Sequence, residues 1–177
     1  MSTATTRLWW RHMTLRDWRF CRTLASQDST REASLDRKPP TLWGHAKWMW
    51  RWSSYSAERI AFILIADLGA PRKAAPCPLG LVRASKLPRG GCEVGIALLE
   101  HCRGRGVGSW ALRELTPLLA HELGGPVFAR IRAENYASHV AFANAGYCPA
   151  READWQRLAG GMPHIVVMGW YRHQEAK

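Results

Sequence analysis

Two arginines alternate with three glycines in Arg103-Gly104-Arg105-Gly106-Val107-Gly108, and residues of these types at this spacing can hold an anion. Arginine supplies charge-assisted N–H donors that fork onto phosphate oxygens. Glycine has no side chain to keep a ligand away from the backbone. Behind the loop, apolar residues recur at Val107, Ala111, Leu115 and Leu119, with Leu112 and Leu123 alongside, the spacing of a helix buried on one side. The loop thus stands at a helix N-terminus, where the first N–H groups lack intrahelical acceptors and the dipole favours negative charge. The apolar run 92–98 leads into it. The unit reads strand, glycine loop, helix, and a pyrophosphate is its natural ligand.

Two common phosphate motifs do not fit. A P-loop ends in Gly-Lys-Ser/Thr, and no lysine stands here. The dinucleotide fingerprint needs an acidic residue at a strand end about 20 residues on. Glu122 is at that distance but falls inside the helix.

The elements that would carry this unit follow from periodicity and punctuation. Strands are expected at 8–11, 60–66, 79–84, 92–98, 127–132, 147–152 and 165–171. Helices are expected from the cap Thr14 to about Ala25, from the cap Thr41 to about Trp52, over 109–123 with a bend at Pro117, and over 135–145. Residues 27–40 read as a loop with one helical turn near 30–35, and 67–78 as a long connection. The sum is one α+β domain spanning 1–177, ordered over about 8–170, with seven mostly antiparallel strands and four helices.

Composition narrows the class. A hydrophobic content of 47% without low-complexity tracts belongs to a globular chain. The longest apolar run, 60–66, is far below the roughly 20 residues that cross a bilayer, and no apolar signal core opens the sequence, so a soluble cytoplasmic protein without membrane partners is expected. The five cysteines show neither Cys-x-x-Cys pairs nor zinc spacings, so free thiols and no metal are expected. The net charge of +11 favours anionic partners, but the arginines are scattered, which makes nucleic acid a less favoured partner than an acidic cofactor or substrate.

Arg103-x-x-Gly106-x-Gly108 fits Arg/Gln-x-x-Gly-x-Gly/Ala, and Glu134-Asn135-x-x-Ser138-x-x-x-Phe142-x-x-x-Gly146-Tyr147 follows after a helix and a strand. In this order the two segments resemble the signatures of the GNAT superfamily of acyl-CoA-dependent N-acetyltransferases, and the similarity covers roughly Leu8 to Trp170. The resemblance implies a mixed, mostly antiparallel seven-stranded sheet with helices on both faces, acetyl-CoA as cofactor, and direct transfer of acetyl to a primary amine. It implies that Arg103, Gly104, Arg105, Gly106, Val107, Gly108 and Ser109 hold the pyrophosphate. Ile96, Ala97 and Leu98 would hold the thioester between splayed strands, and Asn135, Ser138 and Phe142 would line the rest of the cofactor.

Many members carry at the position of Phe142 a tyrosine that protonates the departing thiolate, which phenylalanine cannot do, and simple core packing is the preferred alternative for Phe142. A thiol of pKa about 8.5 leaves reasonably well as thiolate, and Ser138 or Tyr136 could supply the proton. The amine is harder: at a pKa of about 10.4 it is almost wholly protonated at neutral pH and needs a base. Glu93 shares a strand side with the small Gly95 and Ala97, which leave room for substrate, and members often carry a glutamate here. The plainer reading, a glutamate facing solvent or pairing an arginine, stays open. Glu100 and His101 read as structural.

For the acceptor, Asp28-Ser29-x-Arg31-x-x-Ser34 with His45-x-x-Trp48 resembles a GNAT subgroup that acetylates nucleotide-linked amino sugars. That implies Arg31 on a diphosphate, Trp48 stacked on a ring, and His45 beside them. Core packing of His45 and Trp48, and bracing of Arg31 by Asp28, are the alternatives. Rival functions are acetylation of a protein N-terminus and a non-catalytic acyl-CoA sensor or RNA-associated module. A homodimer is the assembly to test.

Overall fold

The computed structural model describes residues 7–35, 38, 40–54, 56–67, 76–162 and 164–171. Seven strands, β1 (Arg7–His12), β2 (Arg59–Asp67), β3 (Cys77–Lys86), β4 (Cys92–Leu98), β5 (Val127–Arg132), β6 (Cys148–Pro149) and β7 (Ile165–Trp170), form one sheet in the order β1-β2-β3-β4-β5-β7-β6. All neighbours pair antiparallel except β4 and β5, which pair parallel. A parallel pair needs a long crossover, and helix α4 (Val107–Leu123) supplies it.

Helices cover both faces. On one, α4 sets Leu112, Leu115 and Leu119, and α5 (Tyr136–Asn144) sets Phe142, against Val82, Val94, Val127 and Ala129. On the other, α1 (Trp18–Ser26) and α3 (Leu42–Ser53) set Leu24, Met49 and Trp52 against Ile63 and Leu81. The continuous apolar run of β2 is explained by this arrangement, since Ile60, Phe62 and Leu64 enter the first core while Ala61, Ile63 and Ile65 enter the second. A third cluster joins α6 (Glu152–Ala159) to β5 and β7 through Leu158, Ala159, Phe128 and Val167. Between the second and third clusters, the side of β4 that carries Glu93, Gly95 and Ala97 stays partly exposed.

The seven mixed strands agree with the expectation; the helix count does not. The described residues hold six α-helices rather than four. A strand at 147–152 shrinks to Cys148–Pro149, because Glu152 and Asp154 supply acidic residues to the first turn of α6, an element absent from the sequence reading. The helical turn near 30–35 is α2 (Asp28–Ala33). Thr14 caps a 3-10 turn, Leu15–Asp17, before α1 begins. Helix α4 runs unbroken through Pro117. Most of the connection 67–78 lies outside the described residues. No helix among those described is long and apolar enough to cross a membrane.

Candidate functional site

Strand β4 ends in a 3-10 turn, Glu100–Cys102, and the chain then passes through Arg103 to Gly106 before α4 starts at Val107. Gly104 and Gly106 have φ of +69° and +77°, left-handed values that cost other L-residues roughly 1–2 kcal/mol. Nothing lies within 4 Å of where a Cβ would stand on either, so the backbone there is open to a ligand. Gly108 differs: a Cβ would meet Leu98, Ala141 and Ile96 at 3.5–3.9 Å, ordinary contact that alanine could make. That junction gathers Ile96, Leu98 and Gly108; Ala97 points to the opposite face, into the second core cluster.

The two arginines divide the work. Arg103 donates from Nε to the Leu98 carbonyl at 3.1 Å and from Nη2 to Thr30 Oγ1 at 2.8 Å, tying the loop to the end of β4 and to α2. Its guanidinium braces the loop and is not aimed outward. Arg105 is exposed at the helix start, next to the N–H groups of Val107, Gly108 and Ser109, which by helix geometry lack intrahelical acceptors.

Strands β4 and β5 pair only at Cys92↔Val127 and Glu93↔Phe128 and then part. Beyond Glu93, the edge of β4 that faces β5 has no ladder partner among the described strands, which opens a slot with free backbone donors and acceptors. Helix α5 comes near this end of β4, where Ala141 stands with Ile96 and Leu98 around Gly108. Asn135 is its N-cap, with Oδ1 accepting from the Ser138 N–H at 3.2 Å, so this part of Asn135 orders the helix. The Ser138 side chain is partly exposed in the first turn, and Tyr136 is 76% exposed.

Phe142 follows the core-packing reading and not the cofactor-contacting one. It is 3% exposed and packs edge-on against Tyr147 at 4.9 Å, so it is a core residue with little surface for a cofactor. Tyr147 does not replace the missing hydroxyl: burial raises its pKa, and its OH is bonded to Thr116 at 2.8 Å.

Glu93 lies on the partly exposed side of β4, with both carboxylate oxygens accepting from Arg130 at 2.9 Å. The pairing with an arginine left open by the sequence is therefore present. Arg130 was missed, although its place two residues after Phe128 on β5 puts it on that side by alternation. Arg83 on β3 was also missed. It faces Gly95 across the β3–β4 ladder, with its guanidinium 5.4 Å from the centre of the Trp52 ring. Arg83 is exposed to solvent, with one face toward the Trp52 ring, and nearby Glu93 favours its charged form. Gly80 is a third omission: a Cβ there would overlap Leu98 and stand 2.6 Å from the Ala97 carbonyl oxygen.

The three expected acceptor residues are not brought together as a pocket. His45 is 2% exposed, stacked on Trp48, edge-on to Trp18 and 3.3 Å from the Trp18 carbonyl. Burial lowers its pKa, which makes it a neutral core histidine and corrects its assignment to substrate. Trp48 is half-buried between His45 and Trp52. Arg31 donates to the Lys38 carbonyl at 2.6 Å, and no described contact links it to His45 or Trp48. An open groove along α1, lined by Trp18, Arg19, Arg22, Thr23, Ser26 and Gln27, shares no residue with the loop or with β4.

The family model for an acetyltransferase (GNAT) domain matches residues 7–147. No curated protein sequence matches the chain. Among solved structures, a domain from Methanocaldococcus jannaschii superposes with a TM-score of 0.76 at 17% identity, covering 95% of this chain and all of that one. Spermidine N-acetyltransferase from Vibrio cholerae, in complex with CoA and spermine, gives 0.72 at 13% identity, with 93% and 95% covered. An aminoglycoside acetyltransferase in complex with coenzyme A gives 0.71 at 14%, with 94% and 95% covered. At such identities the likeness is one of fold.

Proposed function

Because the chain belongs to the acetyltransferase (GNAT) domain family, we propose that it moves the acetyl group of acetyl-CoA by direct attack onto the primary amine of a small molecule. The observation that carries this reading is the glycine loop at the N-terminus of α4 lying beside the slot between β4 and β5. The residues present fit the cofactor. Left-handed Gly104 and Gly106 leave open backbone, the first N–H groups of α4 point from a dipole of the right sign, and exposed Arg105 adds a charge. When bound, acetyl-CoA supplies an activated acyl carbon.

The remaining work falls to the chain. The edge of β4 that parts from β5, apart from the Leu98 carbonyl already bonded to Arg103, offers main-chain partners that would align the acyl arm, with Ile96 and Leu98 against it. Glu93, held on both oxygens by Arg130, keeps further lone pairs for a water that draws a proton from the attacking amine. The Ser138 hydroxyl, partly exposed at the start of α5, is the donor proposed for the departing sulfur. A nucleotide-linked amino sugar is a weaker candidate for the acceptor, since His45 is enclosed and Arg31 is bonded to its own loop.

The test is product analysis. Acetyl-CoA and the full chain are incubated with amino sugars, nucleotide amino sugars, ω-amino acids, polyamines and a peptide, and the amines are examined by mass spectrometry. An N-acetylated small molecule supports the reading. Tight cofactor binding with no acetylated amine in any class would replace it with a sensor, and acetylation of the peptide alone would replace it with a protein acetyltransferase.

A further inference from the structure

Four side chains line up across the sheet on the side between α3 and α6. Trp52 comes from α3, Arg83 from β3, Glu93 from β4 and Arg130 from β5. Two cations share one carboxylate, and Arg130 takes both of its oxygens. Arg83 has the face of Trp52 beside it and a longer-range attraction to Glu93, but no hydrogen bond and no carboxylate of its own among the described residues. Beneath it lies Gly95, whose missing side chain leaves space next to the guanidinium; Arg83 Nε is 3.7 Å from where a Cβ would stand.

A guanidinium with one face against an indole has lost water from that face while keeping its in-plane N–H donors for a ligand. An anion that forks onto those donors makes good that loss with charge-assisted hydrogen bonds. We propose that Arg83 holds the anionic group, a carboxylate or a phosphate, of the amine acceptor; this rests on the acetyltransferase reading above. The direction of the strands sets the size of the acceptor. Arg83 pairs with Gly95, two residues along β4 from Glu93, and two residues of strand span roughly 7 Å. A short acceptor with its amine near Glu93 and its anion on Arg83 fits that interval. The same row, carrying two positive charges against one negative, repels a polycation.

The experiment uses the full chain saturated with coenzyme A, with dissociation constants measured by calorimetry. The probes are 4-aminobutyrate with its uncharged amide, ethanolamine phosphate with ethanolamine, and spermidine. At least one anionic probe is expected to bind about tenfold or more tighter than its neutral counterpart, the gain of a charged hydrogen-bonded pair. Whichever anionic probe shows the larger gain separates a carboxylate acceptor from a phosphate one. Arg83→Gln and Arg83→Met should both lose the preference with coenzyme A affinity unchanged, and that affinity reports that each variant is folded. The proposal is overturned if wild type shows no anionic preference, including binding of no probe at all, if spermidine binds best, or if the preference survives both variants. Failure of wild type to bind coenzyme A is seen before any amine is added and removes the acetyltransferase reading together with this one.

Discussion

Glu93 and Arg130 meet across the point where β4 and β5 stop pairing, joined by two parallel hydrogen bonds of 2.9 Å. The pair straddles the mouth of the slot, where a carboxylate fixed in one orientation can hold a water against an incoming amine. Glu93→Gln should lower kcat by about a hundredfold, the usual weight of a general base, with acetyl-CoA affinity unchanged. The loss should shrink as pH rises and more amine is free. A variant with the wild-type rate and pH profile would remove Glu93 from the chemistry.

In the proposed mechanism Arg130 acts through Glu93, as a positioning residue. Arg130→Met should lower kcat more than it raises KM, and Arg130→Lys should recover only part of the rate, since an ammonium cannot reproduce the two-pronged contact. Equal rates for the lysine and methionine variants would show that the forked geometry is irrelevant.

Gly80 packs against the loop end of β4 from the neighbouring strand. A Cβ would overlap Leu98 and press on the Ala97 carbonyl, so Gly80→Ala should destabilise the fold by about 1–3 kcal/mol. It should also weaken acetyl-CoA binding, because Leu98 forms part of the junction with Gly108. Urea unfolding and a cofactor titration measure the two effects, and wild-type values in both would refute the packing argument.

Phe142 invites replacement by the tyrosine common in the family. The side chain is enclosed against Tyr147, so Phe142→Tyr should bury a hydroxyl without a partner, cost about 1–3 kcal/mol and give no gain in turnover. Faster turnover in the variant would show that the ring reaches the departing sulfur.

His45 gives a pH dependence. Burial holds its pKa below the ordinary value of about 6.5. Below that value the unfolded chain takes up a proton that the folded chain resists, so stability is full above it and falls as pH drops toward the lowered folded value. The melting-temperature advantage of wild type over His45→Gln should therefore narrow from pH 8 to pH 5. A constant gap would contradict a buried neutral imidazole.

Six of the strands, the glycine loop and helices α3 to α5 were legible in the sequence because each rests on local pattern: alternation, four-residue spacing, a cap such as Thr41, and the glycines of the loop. What was not legible depends on pairing between distant strands. Arg83 becomes a neighbour of Gly95 only through the β3–β4 register, and Arg130 a partner of Glu93 only where a parallel pair splays. Nor does the loop motif reveal that Arg103 turns back to Leu98 and Thr30, a contact spanning 73 positions. His45 and Trp48 were ligand candidates by resemblance to a subgroup pattern, with core packing as the alternative, and the aromatic stack with Trp18 and Trp52 places them in the packing.

The central claim is that the N-terminus of α4 seats the pyrophosphate of acetyl-CoA, and calorimetric titration of wild type and Gly106→Glu with acetyl-CoA tests it most directly. Gly106 is the left-handed cap of α4 with open space beside it, so glutamate there adds strain and a negative charge where the anion would sit. The account predicts that wild type binds one equivalent and that Gly106→Glu, still folded by circular dichroism, loses at least about a hundredfold in affinity, the order expected when a charged contact turns repulsive. Equal affinity in the two proteins would contradict it.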